Sequence, residues 1–133
     1  MNLKKHFVII GILGCTAVIL GAFGAHMLKE MIPSKSLLSY KTGILYHFIH
    51  TVSSLCILMM ALHFNEKSLI RAFWLFVIGV FLFSGSIYIL SLKSIFGLNN
   101  LKLIGALTPI GGIFFILGWV QIIYSSTKIK FHT

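Results

Sequence analysis

His47 and His50 stand three residues apart, with Tyr46 beside them, in a stretch that is otherwise largely apolar. Imidazole can relay a proton, hold a hydrogen bond or ligate Zn, Cu or Fe. His26 belongs to the same polar set, so a histidine-based metal or haem redox centre is one reading of these residues. Their surroundings argue against chemistry, because neither HExxH nor CxxC nor a carboxylate pair accompanies them, and Glu30 and Glu66 are the only acids. A nucleophile or general base would lack its partners. The sequence therefore assigns no catalytic residue and no cofactor, leaves the metal question open and favours a non-enzymatic role.

The elements that must position these residues follow from composition. Of 133 residues 58% are hydrophobic and only 10% charged, with a mean hydropathy of +1.01; a soluble domain has about 45–50% apolar and about 25% charged residues. Such a chain belongs in a membrane. Its net charge of +9 does not point to nucleic acid, since the cations lie singly or in pairs between apolar runs, where they meet lipid headgroups. Cys15 and Cys56 both lie within apolar runs, as small buried side chains do.

Charged residues divide the chain into four apolar stretches, 7–28, 40–63, 69–92 and 103–124. Each exceeds the roughly 20 residues that cross a hydrocarbon core, and in lipid only helices satisfy their own backbone. Pro33 with Ser34, Asn65 with Glu66, and Gly97 with Asn99 and Asn100 mark the turns. Short connections predict an all-α, four-helix antiparallel bundle in one membrane domain, with the fourth helix kinked at Pro109. Lys4, Lys5 and His6 ahead of an apolar run resemble a signal peptide, but the run continues unbroken to Leu28, so the segment is retained as a span. Orientation is nearly balanced. The N-terminal side, called side A, carries Lys4, Lys5, Lys67, Arg71, Lys128 and Lys130, against Lys29, Lys35, Lys41, Lys93 and Lys102 on side B.

Depth along antiparallel helices then gathers the polar residues. The first span ends at side B with Gly21, Gly24 and His26; the second begins there with Tyr46, His47 and His50; the third leaves through Ser84, Gly85, Ser86 and Tyr88; the fourth enters with Thr108, Pro109, Gly111 and Gly112. The side-A half is mainly Phe, Leu, Ile, Val and Met. Polar groups in hydrocarbon are costly unless they face the bundle interior or water. A polar nest or pocket opening toward side B is the expectation, with His26, Tyr46, His50, Ser84, Ser86, Tyr88 and Thr108 as its ligand-binding residues. Gly43, His47, His50 and Ser54 share one helical stripe, and Tyr46, His50 and Ser53 an overlapping one, which makes His50 central. The plainer role for the same groups is interhelical hydrogen bonding, with Gly21, Gly24, Gly85, Gly111 and Gly112 as close-packing points.

GAFGAH at 21–26, Tyr46 with His50, FSGSIYIL at 83–90 and IGALTPIGGIFFILGW at 104–119 together resemble the YgdD/YwdK-like family, domain of unknown function 423. The likeness spans nearly the whole chain. It implies a multi-pass protein of four helices in bacterial inner membranes, with relatives in eukaryotes and no established activity. Carried over by motif, the positions of interest are Gly21, Gly24, His26, Tyr46, His50, Ser84, Gly85, Ser86, Tyr88, Thr108, Pro109, Gly111, Gly112 and Trp119, while His47 and Cys15 fall outside. The expected role is structural or small-ligand binding, with a carrier or channel subunit for a small ligand or ion as the alternative. Membrane lipids are the expected partners; the small-residue faces of spans one and four also suit a second copy or another membrane protein.

Overall fold

A computed structural model describes residues 3–64, 66–98 and 100–129. Asn65, Asn99 and Lys130, which figure in the turn and charge assignments above, lie outside the described residues. The elements are α1 (Leu3–His26), a one-turn α2 (Leu28–Met31), α3 (Ser34–His63), α4 (Leu69–Gly79), a π-helical turn (Val80–Ser84), α5 (Gly85–Ser91) and α6 (Lys102–Ser126). The π turn and α5 continue α4, so among the described residues four helices are long and apolar enough to cross a membrane.

Cross-links between spans establish the antiparallel order. Tyr40 of α3 reaches Leu20 of α1, Ser86 of α5 reaches Thr108 of α6, and Ser68, just before α4, reaches Ser125 near the end of α6. α1 packs on α3, α3 on α4 and α5, and these in turn on α6. The two middle spans are accordingly the more buried: 39% of the most apolar 18-residue stretch of each is enclosed, against 22% of that in α1 and 17% of that in α6. Outward faces carry residues such as Val18, Phe81, Leu103 and Ile123, each at least 65% exposed. Acyl chains cover such a surface at no hydrophobic cost, whereas water could not.

Three details modify the sequence expectation. α3 begins at Ser34, not Tyr40, because Pro33 stands just before its first residue with φ −55°, ψ 145° and directs the chain straight into the helix. At 30 residues α3 is about 45 Å long, well beyond a hydrocarbon core of about 30 Å. Pro109 lies inside a continuous α6. Having no N–H, Pro109 removes one hydrogen bond from that helix, and a second backbone irregularity sits in the third span, where the Gly85 N–H bonds the Val80 carbonyl, five residues back. The turn before α6 is closed by Gly97 at φ 60° and Asn100 at φ 64°, a left-handed backbone that glycine and asparagine enter most readily.

Candidate functional site

The stripe on α3 forms as its spacing requires: Gly43, His47, His50 and Ser54 are all buried. His47 Nδ1 lies 3.1 Å from the Tyr88 hydroxyl, joining α3 to α5. The Tyr88 ring tilts against Tyr40 with centroids 5.1 Å apart, and the Tyr40 hydroxyl donates to the Leu20 carbonyl of α1 at 2.9 Å. Close approach by small residues admits both rings. A Cβ on Gly24 would stand 2.7 Å from the Tyr40 ring, and one on Gly43 would stand 3.0 Å from that of Tyr88. α1, α3 and α5 are thus pinned at one level by two tyrosines and a histidine.

His50 takes a different role from the central one expected of it. Its Nδ1–H donates to the Tyr46 carbonyl at 2.9 Å, within its own helix, so Tyr46 serves it through backbone rather than hydroxyl. The ring stacks on Phe115 at 3.6 Å and 10° and meets the edge of Phe76 at 4.9 Å. Its Nε2 is buried with no hydrogen-bond partner. The reason is helical geometry: three residues advance about 300°, leaving the two imidazoles about 60° apart around α3, so His47 meets α5 while His50 meets the aromatic face of α6. Tyr46 is 39% exposed and lays its ring against Phe83 at 4.7 Å.

The third and fourth spans interlock next. The Ser86 hydroxyl donates to the Phe83 carbonyl at 2.9 Å and lies 2.7 Å from Thr108 Oγ1; with the Ser86 proton committed, Thr108 is the donor between helices. Ser84 is fully buried in the π turn, one turn before Tyr88. Gly111 packs on that turn so closely that a Cβ would fall 2.3 Å from the Phe83 nitrogen. Below it lies a reciprocal pair: Phe76 covers Gly118, and Phe115 covers Gly79. The same F-x-x-G tetrapeptide, at 76–79 and 115–118, supplies both halves. Sequence reasoning passed over Gly79, Gly118 and both rings, although that repeat was visible.

Other expected members stand apart. His26 is exposed at the end of α1 and borders a shallow apolar hollow with Phe23 and Met27, away from His47 and His50. Among the described residues no group of three or more His, Cys, Asp or Glu side chains is placed to hold a metal ion. A Cβ on Gly85 would meet open space, and one on Gly21 or Gly112 only ordinary contacts. Trp119, 47% exposed, touches Phe76 at 5.2 Å. Cys15 and Cys56 are unpaired thiols on exposed positions.

Polar contacts are not confined to side B. At the opposite end Ser68 donates to Ser125 at 2.7 Å, Ser125 donates to the Gln121 carbonyl, and Gln121 donates back to the Ser68 carbonyl at 3.3 Å. This knot corrects the expectation of an A-side half without polar convergence. It escaped notice because each of its members lies at a span end, where a serine or glutamine looks like a solvated boundary.

A pocket of about 480 Å³ opens toward side B between α3, α5 and α6. Ser36, Ser39 and Thr42 line it from the extended start of α3, Ile87 and Ser91 from α5, and Thr108 from α6, with Lys35 and Lys93 also along its wall. Its volume falls in the range of about 300–1,000 Å³ typical of small-ligand sites. Ser91 is 3% exposed and its hydroxyl has no partner.

With this arrangement of spans, residues 20–112 match the family model described as "Protein of unknown function (DUF423)". The chain belongs to the DUF423 family. It is 40% identical over 126 residues to the UPF0382 membrane protein YwdK of Bacillus subtilis, covering 93% of this chain and 98% of that one. A UPF0382 membrane protein of Haemophilus influenzae is 37% identical, covering 96% and 97%. The UPF0382 inner membrane protein YgdD of Escherichia coli is 33% identical, covering 98% and 95%. No solved structure matches the chain. This DUF423 member is a membrane protein with four apolar helical spans, so contact with lipid is part of its architecture.

Proposed function

We propose that this DUF423 protein is a non-enzymatic, multi-pass protein of the bacterial cell membrane that binds a small ligand in the side-B pocket, using the interhelical polar contacts as a rigid frame. Thr108 carries the reading, because it is at once the donor that ties α6 to Ser86 and a wall of the pocket. A ligand there would rest on groups held by three spans. The inner-membrane placement is supported by the name of YgdD. His50, although buried, belongs to the frame: its ring is committed to Phe115 and its Nδ1–H to the Tyr46 carbonyl.

Native mass spectrometry of gently solubilised protein tests this, beside Ser91→Trp, which fills the pocket, and Val18→Trp, which enlarges an exposed lipid-facing position. The wild type and Val18→Trp should retain a bound small species that Ser91→Trp releases. Identical masses for all three would overturn the reading.

A further inference from the structure

The side-B pocket combines cations, hydroxyls and an apolar wall. Lys35 and Lys93 stand along it from different elements. Of the two acids in the chain, neither lines it: Glu30 is exposed on α2, and Glu66 precedes α4 at the opposite end. A pocket bordered by two ammonium groups with no carboxylate between them carries a standing positive potential, and that potential selects an anion.

The hydroxyls narrow the anion further. Those of Ser39 and Thr42 already donate to the Lys35 and Leu38 carbonyls, which leaves their oxygens as acceptors. Ser91 differs, since its hydroxyl is buried and without a partner. A buried hydroxyl that makes no hydrogen bond is unfavourable, so a ligand oxygen that accepts its proton, once the side chain turns into the pocket, gains affinity. Phosphate offers several strong acceptor oxygens at full negative charge.

Depth supplies the rest. Lys35 stands in the first turn of α3, a helix longer than a hydrocarbon core is thick, and a lysine at such a helix end meets lipid headgroups. Ile87 and Leu90 line the same pocket, a surface suited to an acyl chain. Beyond Lys93 the hollow continues into a second one, which shares Leu90 and Lys93 and ends at Lys102.

We infer that the side-B pocket takes a phosphate-bearing group, with Lys35 and Lys93 neutralising its charge, Ser91 donating to a phosphate oxygen, and Ile87 and Leu90 covering attached apolar chain. This rests on the ligand-binding reading above and names the class of ligand. The same chemistry could come from an anionic lipid headgroup or from free phosphate, and the experiment separates them.

Protein in nanodiscs of phosphatidylcholine, alone or mixed with phosphatidylglycerol, is released and its bound lipid weighed by native mass spectrometry; inorganic phosphate binding is measured on the same samples by equilibrium dialysis. The wild type should retain phosphatidylglycerol over phosphatidylcholine, or bind phosphate, and Lys35→Met/Lys93→Met should lose about thirtyfold in that preference, the two lysines contributing roughly 1 kcal/mol each near the surface. Lys4→Met/Lys67→Met, at the other membrane face, should match the wild type. Lipid preference without phosphate binding assigns the site to a headgroup, and phosphate binding assigns it to the free anion; both support the inference. Equal losses in the two double variants, or none in the first, overturn it. If Ser91→Trp still expels a bound species while Lys35→Met/Lys93→Met keeps it, the pocket binds a neutral ligand and only the phosphate assignment fails. If neither variant expels anything, the ligand-binding reading fails with it.

Discussion

Gly111 of α6 faces the backbone of Phe83 across the π turn so closely that a Cβ there would lie 2.3 Å from the Phe83 nitrogen and 2.8 Å from its Cα. Backbone cannot swing aside as the end of a side chain can. Gly111→Ala should therefore destabilise the protein by about 1–3 kcal/mol or more, as overpacking does. Gly85→Ala, whose Cβ would meet nothing, should be neutral or stabilising by up to about 1 kcal/mol through helix propensity. Thermal unfolding in detergent, with the two variants side by side, checks the contrast.

The exchange of rings and glycines between α4 and α6 gives a second test. A Cβ on Gly118 would fall 2.3 Å from the Phe76 ring, so Gly118→Ala should destabilise strongly in the wild-type background and much less with Phe76→Leu. The pair should be non-additive by about 0.5–3 kcal/mol in a double-mutant cycle. Strict additivity would mean that the two residues do not meet.

The two histidines should respond differently to the same substitution. His47→Phe strands the Tyr88 hydroxyl 3.1 Å away and should cost about 1–2 kcal/mol, in line with interhelical hydrogen bonds in membranes. His50→Phe keeps the stack on Phe115, removes a buried nitrogen that has no partner and forfeits only a bond to its own helix. It should be neutral within about 1 kcal/mol, or stabilising. Unfolding free energies in lipid bicelles, with Tyr88→Phe closing the cycle for His47, decide the matter.

At the side-A end, Ser125→Ala removes the acceptor for Ser68 and the neighbour of Gln121 in a fully buried position. It should destabilise by about 1–3 kcal/mol. Ser126→Ala, one residue on and exposed, should change nothing measurable, and hydrogen exchange at the α6 C-terminus should rise in the first variant alone.

The spans were legible because lipid imposes one rule on a long apolar stretch, and the four runs obey it. The α3 stripe of Gly43, His47, His50 and Ser54 was legible for the same reason: period alone turns it inward. Which partner each member meets was not, because the 60° between His47 and His50 matters only once α5 and α6 have taken their places. The π turn carries no Pro or special residue to announce it, as Pro109 announces the hydrogen bond that α6 lacks. Ser91 and Lys35 lay hidden at the ends of spans, where a short-range reading treats polar residues as boundary markers. His26 had the right depth but the wrong face, and depth was the only coordinate a sequence could supply.

The central claim is that the pocket bounded by Ser91, Thr108, Lys35 and Lys93 is occupied by a ligand in the membrane. Electron cryomicroscopy of the protein extracted in native membrane patches, without detergent exchange and with a rigid fusion to aid alignment, tests it most directly. Well-ordered non-protein density within hydrogen-bond distance of Ser91 and between the two lysines is the result the account predicts. A pocket collapsed onto its own side chains, with ordered lipid only around the outside of the helices, would contradict it.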